Sequence, residues 1–124
     1  MLDTHTFIWF AEDDLILPSK VKKTIENPSN EIFISIASLW EISIKIKLGK
    51  LQLTGEIEDV FDQIIENGFH LFPILPQHII QHSKLPLIHR DPFDRMIIAQ
   101  SLSEKISIIG RDMVFTEYGV KMIW

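Results

Sequence analysis

The sequence has no cysteine and no long apolar run. Without cysteine there is no disulfide framework and no thiolate that could bind zinc or attack a substrate. No apolar run reaches the roughly 18 residues that a transmembrane helix requires. The N-terminus has neither the basic nor the apolar region of a signal peptide. We therefore expect a cytoplasmic protein that makes no use of a membrane.

An excess of positive charge is also absent. The formal net charge is −5 and the isoelectric point lies near 5.4, so the chain has no global basic field for nucleic acid. This argues against a simple DNA-binding module, but it is compatible with a nuclease whose acidic centre lies inside a local basic rim. With 124 residues and a hydrophobic fraction of 46%, the sequence predicts one domain, residues 1–124, with a real core.

Short apolar strands alternate with helices along the whole chain. The sequence predicts strands at residues 31–35, 69–75, 106–109 and 120–124. It predicts helices at residues 6–11, 20–26, 36–48, 56–67, 76–83 and 92–105, with a further short helix at 113–118. This alternation is typical of an α/β fold in which a parallel sheet carries helices on both faces.

Four acidic residues, Asp3, Glu41, Asp94 and Asp112, are each flanked by apolar segments that should form a core. Asp3 and Asp112 directly follow strand-like runs, and Asp94 falls in the first turn of a predicted helix. Ligands of parallel sheets bind at the carboxyl ends of the strands, so we expect these three acids at one edge. Glu41 lies in a helix that is apolar nearly all round, which predicts a buried carboxylate.

Carboxylates gathered in one cleft repel one another and are normally tolerated around a divalent cation. The absence of cysteine and of H-x-x-x-H spacing favours Mg²⁺ or Mn²⁺ over zinc. Such an ion can orient or deprotonate a water for attack on a phosphodiester, which would leave a 3′-hydroxyl and a 5′-phosphate. The acids therefore predict metal-assisted hydrolysis.

Each acid also has a purely structural explanation. Asp3 and Asp112 could cap the helices that follow them, because aspartate is among the best N-caps. Asp91 is the best candidate to cap the helix that carries Asp94, since proline follows it at the first helical position. Glu41 could pair with Lys45 one turn later on a solvent-exposed helix face.

Basic residues surround the same motifs. All three arginines of the chain, Arg90, Arg95 and Arg111, lie within the acidic motifs, and Lys45 follows Glu41. Their functional interpretation is contact with substrate phosphates, for which the planar guanidinium is well suited. The alternative is ordinary surface charge, which is the stronger explanation for the lysine.

Histidines and tryptophans give weaker signals. His5 and His89 lie beside proposed ligands and could contact substrate or a water, but we predict no histidine as a catalytic base. Trp9 and Trp40 lie in apolar helices, where core packing or a subunit contact is a commoner role than base stacking.

At these residues the chain resembles the PIN-domain family, and specifically the VapC-type toxins of bacterial toxin–antitoxin pairs. Four sequence phrases carry the resemblance: L-D-T-H-T-F-I-W, I-A-S-L-W-E-I-S-I-K-I-K-L-G-K-L, L-P-L-I-H-R-D-P-F-D-R-M-I-I-A-Q-S and I-I-G-R-D. They extend over nearly the full length in the right order, and the third is the most specific.

The resemblance implies a three-layer α/β/α sandwich with a mostly parallel central sheet. It implies a ribonuclease that binds Mg²⁺ or Mn²⁺, with tRNA or other structured RNA as substrate, a homodimer, and a cognate antitoxin that blocks the site. The implied metal-binding and catalytic residues are Asp3, Glu41, Asp94 and Asp112. The implied supporting residues are Thr4, Ser38 and Asp91.

One departure from the family concerns the N-terminus. Only Met1 and Leu2 precede Asp3, whereas members usually carry several more apolar residues there. We expect either a shortened first strand or a chain that starts further upstream.

Rival functions remain. A receiver domain needs paired acids after its first strand, and a haloacid-dehalogenase-like phosphatase needs D-x-D where this chain has His5. A catalytically inactive PIN-like binding or dimerisation module is the main alternative, and it would tolerate loss of Glu41 or Asp94.

Overall fold

Four short strands and one single-residue bridge form a parallel central sheet. The computed structural model describes residues 1–124. The strands are β1 (Phe33–Ser35), β2 (His70–Phe72), β3 (Ile108–Ile109) and β4 (Met122–Ile123). Strand β1 pairs with β2 and β3 pairs with β4, both in parallel. Leu2 bridges in parallel to Ile34 on one side and to Ile109 on the other. The order across the sheet is therefore β2, β1, Leu2, β3, β4.

The helices follow the predicted order. They are α1 (Thr4–Ala11), α2 (Ser19–Glu26), α3 (Ile36–Lys47), α4 (Ile57–Glu66), α5 (Pro76–Lys84), α6 (Pro92–Glu104) and a 3₁₀ helix at Met113–Tyr118. The strands are shorter than predicted. The predicted strand at 69–75 ends at Phe72, because Pro73 has no amide hydrogen to continue the ladder. No helix is long and apolar enough to cross a membrane.

Two separate apolar clusters cover the two faces of the sheet. Leu2, Ile34 and Ile109 point into a cluster formed with α1, α2, α3 and α4. Met1 and Ile108, their neighbours along the chain, point into the opposite cluster, which α6 and the 3₁₀ helix complete. Successive residues of a strand face opposite sides of a sheet, so this arrangement confirms the predicted α/β/α sandwich.

The bridge at Leu2 fixes the position of Asp3. The amide of Leu2 donates to Phe33 O at 2.9 Å, and the amide of Asp3 donates to Ile109 O at 3.0 Å. Leu2 is completely buried between the two strand pairs. Asp3 therefore leaves the centre of the sheet at its carboxyl edge, as the sequence predicted.

A buried polar link connects the two helices that carry Glu41 and Asp94. Ser35, at the start of α3, donates through its hydroxyl to Gln100 Oε1 of α6 at 2.6 Å. The Gln100 amide donates in turn to Pro73 O at 3.0 Å, and both side chains are fully buried. The spacing between α3 and α6 is thus set by hydrogen bonds as well as by apolar packing.

We expect Gln100→Leu to destabilise the protein by about 1–3 kcal/mol, because it leaves Ser35 without its acceptor and Pro73 O without its donor. Urea unfolding followed by circular dichroism measures this loss. Gln52→Leu, at an exposed loop position, is the matched control and should change stability by less than about 0.5 kcal/mol. Equal stability of the two variants would contradict this structural role.

Candidate metal centre

Asp3 and Asp112 occupy equivalent positions at the ends of neighbouring parallel segments. Asp3 Oδ1 accepts from the amide of His5 at 2.8 Å and caps α1. Asp112 Oδ1 accepts from the amide of Val114 at 3.0 Å and caps the 3₁₀ helix. The structural explanation for both residues is therefore correct, but capping uses only one oxygen of each carboxylate. Asp3 Oδ2 also accepts from the Thr6 hydroxyl at 3.3 Å. Both residues lie at the same edge of the sheet.

The backbone is closely packed against the Asp3 carboxylate. Asp3 is only 4% exposed, and a Cβ placed on Gly110 would come within 2.6 Å of Asp3 Oδ2. Any other residue at 110 would push into the site. Gly110 was not among the residues predicted from sequence, although a glycine between a strand and Asp112 is a signal for such a close approach.

Burial dominates the electrostatics of Asp3. Desolvation raises its pKa, and the negative charge of Glu41 raises it further. Hydrogen bonds from the His5 amide and the Thr6 hydroxyl act in the opposite direction. The charge of Glu41 on α3 therefore acts on Asp3 at the start of α1.

Glu41 is a buried carboxylate with one unsatisfied oxygen. The residue is 3% exposed, and its Oε1 lies 2.6 Å from the ammonium of Lys45. Its Oε2 is buried and has no hydrogen-bond partner. The predicted pairing with Lys45 therefore exists, but it does not lie on a solvent-exposed face and it leaves half of the carboxylate without a partner. A buried anionic oxygen without a partner is costly unless a cation binds it.

Burial also perturbs the carboxyl group of Asp94. Burial raises its pKa to about 6, and the charges of Asp91 and Glu41 contribute, while the hydrogen bond from His89 lowers it. His89 Nε2 lies 2.6 Å from Asp94 Oδ2. The charge of Glu41 thus raises the pKa of Asp94 as well as that of Asp3.

The tightest group of potential ligand atoms includes a histidine. One ligand atom each from His89, Asp94 and Asp112 lie within 4.8 Å of one another. This set differs from the four predicted acids, because Asp3 and Glu41 lie outside it. From the sequence, His89 was placed beside the proposed ligands but not among them. The only signal for it was its position in the loop five residues before Asp94.

The residues present fit a divalent cation. The donor set combines carboxylate oxygens, which suit Mg²⁺ and Mn²⁺, with a single imidazole nitrogen and no thiolate. The unsatisfied Oε2 of Glu41 supplies an independent reason for a cation at this edge. Gly110 supplies the space beside Asp3.

The predicted phosphate contact by Arg95 is wrong. Its side chain is 7% exposed, and its guanidinium donates to three carbonyl groups and one hydroxyl. The acceptors are Leu85 O at 3.2 Å, Pro86 O at 2.7 Å, His89 O at 3.3 Å and Tyr118 Oη at 3.3 Å. The loop before α6 lacks backbone partners for these carbonyls, and Arg95 supplies the missing donors.

The other basic candidates remain at the surface of the site. Arg90 and Arg111 are exposed, and neither forms an ion pair within the chain. Lys45 is partly exposed and bound to Glu41. Arg90 and Arg111 are therefore free to meet a phosphate, and Lys45 could do so beside Glu41.

The predicted supporting residues hold the helices rather than the carboxylates of the site. Thr4 donates through its hydroxyl to the Ser38 hydroxyl at 3.1 Å, and this fully buried contact joins α1 to α3. Neither side chain bonds to an acid of the cluster. Asp91 accepts from the amides of Phe93 and Asp94 at 2.8 and 3.1 Å, so it caps α6 as predicted.

Comparisons with known proteins concern the family and the fold. A family model described as "PIN domain" matches residues 1–121. The fold is similar to a solved structure described as VapBC2 from Rickettsia felis bound to a DNA fragment from their promoter. The TM-score is 0.74 at 12% identity, over 99% of this chain and 96% of the other. No curated protein matches the sequence.

Proposed function

This chain belongs to the PIN-domain family, and from that membership we propose that it is a metal-dependent endoribonuclease and the VapC-type toxin of a toxin–antitoxin pair. PIN domains are generally nucleases and typically depend on divalent metal. The observation that carries the proposal is the buried Glu41 carboxylate, which has one unsatisfied oxygen and whose charge raises the pKa of both Asp3 and Asp94. A non-catalytic domain has no use for this arrangement, which destabilises the chain in the absence of a cation.

Asp3, Glu41 and Asp94 would hold the ion, directly or through water, and Asp112 would complete the site. A bound Mg²⁺ or Mn²⁺ would supply Lewis-acid activation of water and neutralise charge that develops on the phosphate. The chain contributes fixed positions: the cap on α1 orients Asp3, and the hydrogen bond from His89 orients Asp94. Thr4 and Ser38 would support the site by fixing the two helices that carry Asp3 and Glu41.

The exposed arginines would bind the substrate. Arg90 and Arg111 flank the acidic site, and Lys45 lies beside Glu41 at its margin. Contacts to phosphates would position an RNA backbone without reading its sequence. Structured RNA such as tRNA is the proposed substrate, and a toxin with this target would work in the cytoplasm.

The test is cleavage of total cellular RNA by the purified protein with Mn²⁺, with EDTA, and with Asp94→Asn. We expect cuts at discrete sites that require metal and Asp94, with 3′-hydroxyl and 5′-phosphate ends. The matched control is Asp62→Asn, an exposed acid on α4, which should cleave normally. Products with 2′,3′-cyclic phosphate would contradict hydrolysis by a metal-activated water. A folded protein that neither cleaves RNA nor binds metal would favour the inactive PIN-like binding module.

A cognate antitoxin is the proposed protein partner. The similar Rickettsia felis structure is a VapBC2 complex on promoter DNA, so that protein is solved together with its antitoxin. By analogy, a segment of the antitoxin of this chain would cover the acidic site. Co-expression should therefore suppress RNA cleavage, and the complex should be stable on gel filtration.

An exposed apolar face on α3, α5 and α6 is the proposed homodimer contact. Trp40 is 60% exposed and packs edge-on against Phe93, with 5.4 Å between the ring centroids. Ile79 lies beside these two rings and is 51% exposed. Of the two sequence interpretations of Trp40, core packing is wrong, because most of its side chain lies in solvent. Exposed apolar patches of this kind commonly mark interfaces.

We expect Trp40→Glu to convert a dimer into a monomer, because a charge would be buried at the centre of the contact. Gel filtration with light scattering measures the mass. Leu48→Glu, at an exposed apolar position at the end of the same helix but outside this face, should leave the mass unchanged. A dimer that persists in Trp40→Glu would place the contact elsewhere.

A further inference from the structure

We propose that His89 is a nitrogen ligand of the metal centre and that the site therefore selects a first-row transition ion such as Mn²⁺ over Mg²⁺. This inference rests on the proposed metal-dependent function and specifies the ligand set of the same site. It changes the expected chemistry from an all-oxygen centre to a mixed nitrogen and oxygen centre.

The position of the imidazole carries the inference. His89 Nε2 is 2.6 Å from Asp94 Oδ2, and one ligand atom each of His89, Asp94 and Asp112 lie within 4.8 Å of one another. In an octahedral site with metal–ligand distances of about 2.1 Å, adjacent ligand atoms lie about 3 Å apart and opposite ligand atoms about 4 Å apart. These three side chains therefore already lie close to the spacing of one coordination sphere.

The backbone of His89 is held from both sides. Its amide donates to Tyr118 Oη at 2.7 Å, and its carbonyl accepts from the buried guanidinium of Arg95 at 3.3 Å. The imidazole itself is 27% exposed, so a hydrated ion can reach it. A rigid backbone with an accessible ring is the arrangement expected of a ligand and not of a mobile surface histidine.

A second observation indicates a cation near these ligands. Glu41, on α3, is 3% exposed, and its Oε2 has no hydrogen-bond partner. Its negative charge also acts on Asp94, the residue in contact with His89. A cation bound at Asp94 would offset the repulsion between these two carboxylates.

The choice of metal follows from the ligand chemistry. Mg²⁺ prefers oxygen ligands and loses its waters reluctantly, whereas transition ions accept imidazole readily. If His89 only donated a hydrogen bond to Asp94, it would support both kinds of ion equally. A ligand role therefore makes a distinct prediction: loss of the ring nitrogen should weaken Mn²⁺ binding far more than Mg²⁺ binding.

The experiment is pulsed electron paramagnetic resonance of Mn²⁺ bound to the full chain, which detects coupling to a ligating nitrogen. We expect nitrogen coupling in the wild type and its loss in His89→Gln, which keeps an N–H donor where the ring had one. The variant should also lower the preference for Mn²⁺ over Mg²⁺, measured by competition calorimetry, by ~10-fold or more. His5→Gln, an exposed histidine beside Asp3, is the matched control and should keep both the coupling and the preference.

Bound Mn²⁺ without nitrogen coupling in the wild type would overturn the inference, and this measurement needs no variant. Coupling that persists in His89→Gln would overturn it as well, because another nitrogen would be the ligand. Neither result would contradict the proposed nuclease activity. That proposal fails only if the folded wild type shows no metal-dependent RNA cleavage.

Discussion

Asp94→Asn will abolish metal-dependent RNA cleavage and at the same time stabilise the metal-free protein. Loss of this carboxylate removes a proposed metal ligand, so we expect cleavage to fall by about 100-fold or more. The gain in stability has a separate cause. Burial raises the pKa of Asp94 from 3.8 to about 6, with smaller contributions from the charges of Asp91 and Glu41. At neutral pH the folded chain must therefore hold an anion that its surroundings disfavour.

The sign of the pH dependence follows from linkage. Because the folded pKa of Asp94 lies above the unfolded value, the folded state binds the extra proton between about pH 4 and pH 6. The contribution of the protonated acid to the free energy of unfolding is complete below the pKa of the unfolded state. It is lost as the pH rises through the pKa of the folded state. By pH 7.5 the free energy of unfolding has fallen by on the order of 3 kcal/mol. The variant does not titrate and escapes this loss.

Urea unfolding in EDTA measures the effect. We expect Asp94→Asn to exceed the wild type by about 1–3 kcal/mol at pH 7.5, and the difference to disappear near pH 4. Mn²⁺ should stabilise the wild type by mass action and have little effect on the variant. The exposed control Asp62→Asn should behave like the wild type throughout. Lower stability of Asp94→Asn in EDTA at pH 7.5 would show that Asp94 is a structural residue.

The positions of the acids could be predicted because local rules place them. Asp3 and Asp112 each follow a short parallel segment and precede a helix, where aspartate is a preferred cap, so one residue type serves both structure and site. Asp91 follows the same rule before α6. Glu41 was predicted to be buried because its helix is apolar nearly all round, and it is 3% exposed.

The surroundings of the acids could not be predicted, because they depend on long-range packing. Nothing in the phrase H-R-D-P-F-D-R distinguishes Arg90 from Arg95, yet the first is exposed and the second buried. The difference depends on the unpaired carbonyls of the preceding loop and on Tyr118, more than twenty residues away. The approach of His89 to Asp94 depends on the same loop. Sequence patterns identify the charged residues, but which of them are exposed to a substrate depends on the conformation of the folded loop.

The burial of Arg95 leads to the largest expected effect on stability. We expect Arg95→Met to lower the free energy of unfolding by about 3–5 kcal/mol, because several buried acceptors are left unsatisfied. Methionine keeps the apolar stem but not the guanidinium, so the loss also includes the volume that this group fills. Three carbonyl groups and the Tyr118 hydroxyl would lose a donor together.

Chemical unfolding of Arg95→Met and Arg90→Met provides the comparison, since the two arginines belong to one motif and differ in burial. Arg90→Met should unfold like the wild type and bind RNA more weakly, with a smaller dependence on salt, because a phosphate contact is lost. Arg95→Met should lose stability and also bind Mn²⁺ more weakly, because the His89 carbonyl is no longer held and the imidazole can move away from Asp94. Equal stability of the two variants would mean that other groups hold the loop. In that case the position of His89 would have to be fixed through its amide and Tyr118 alone.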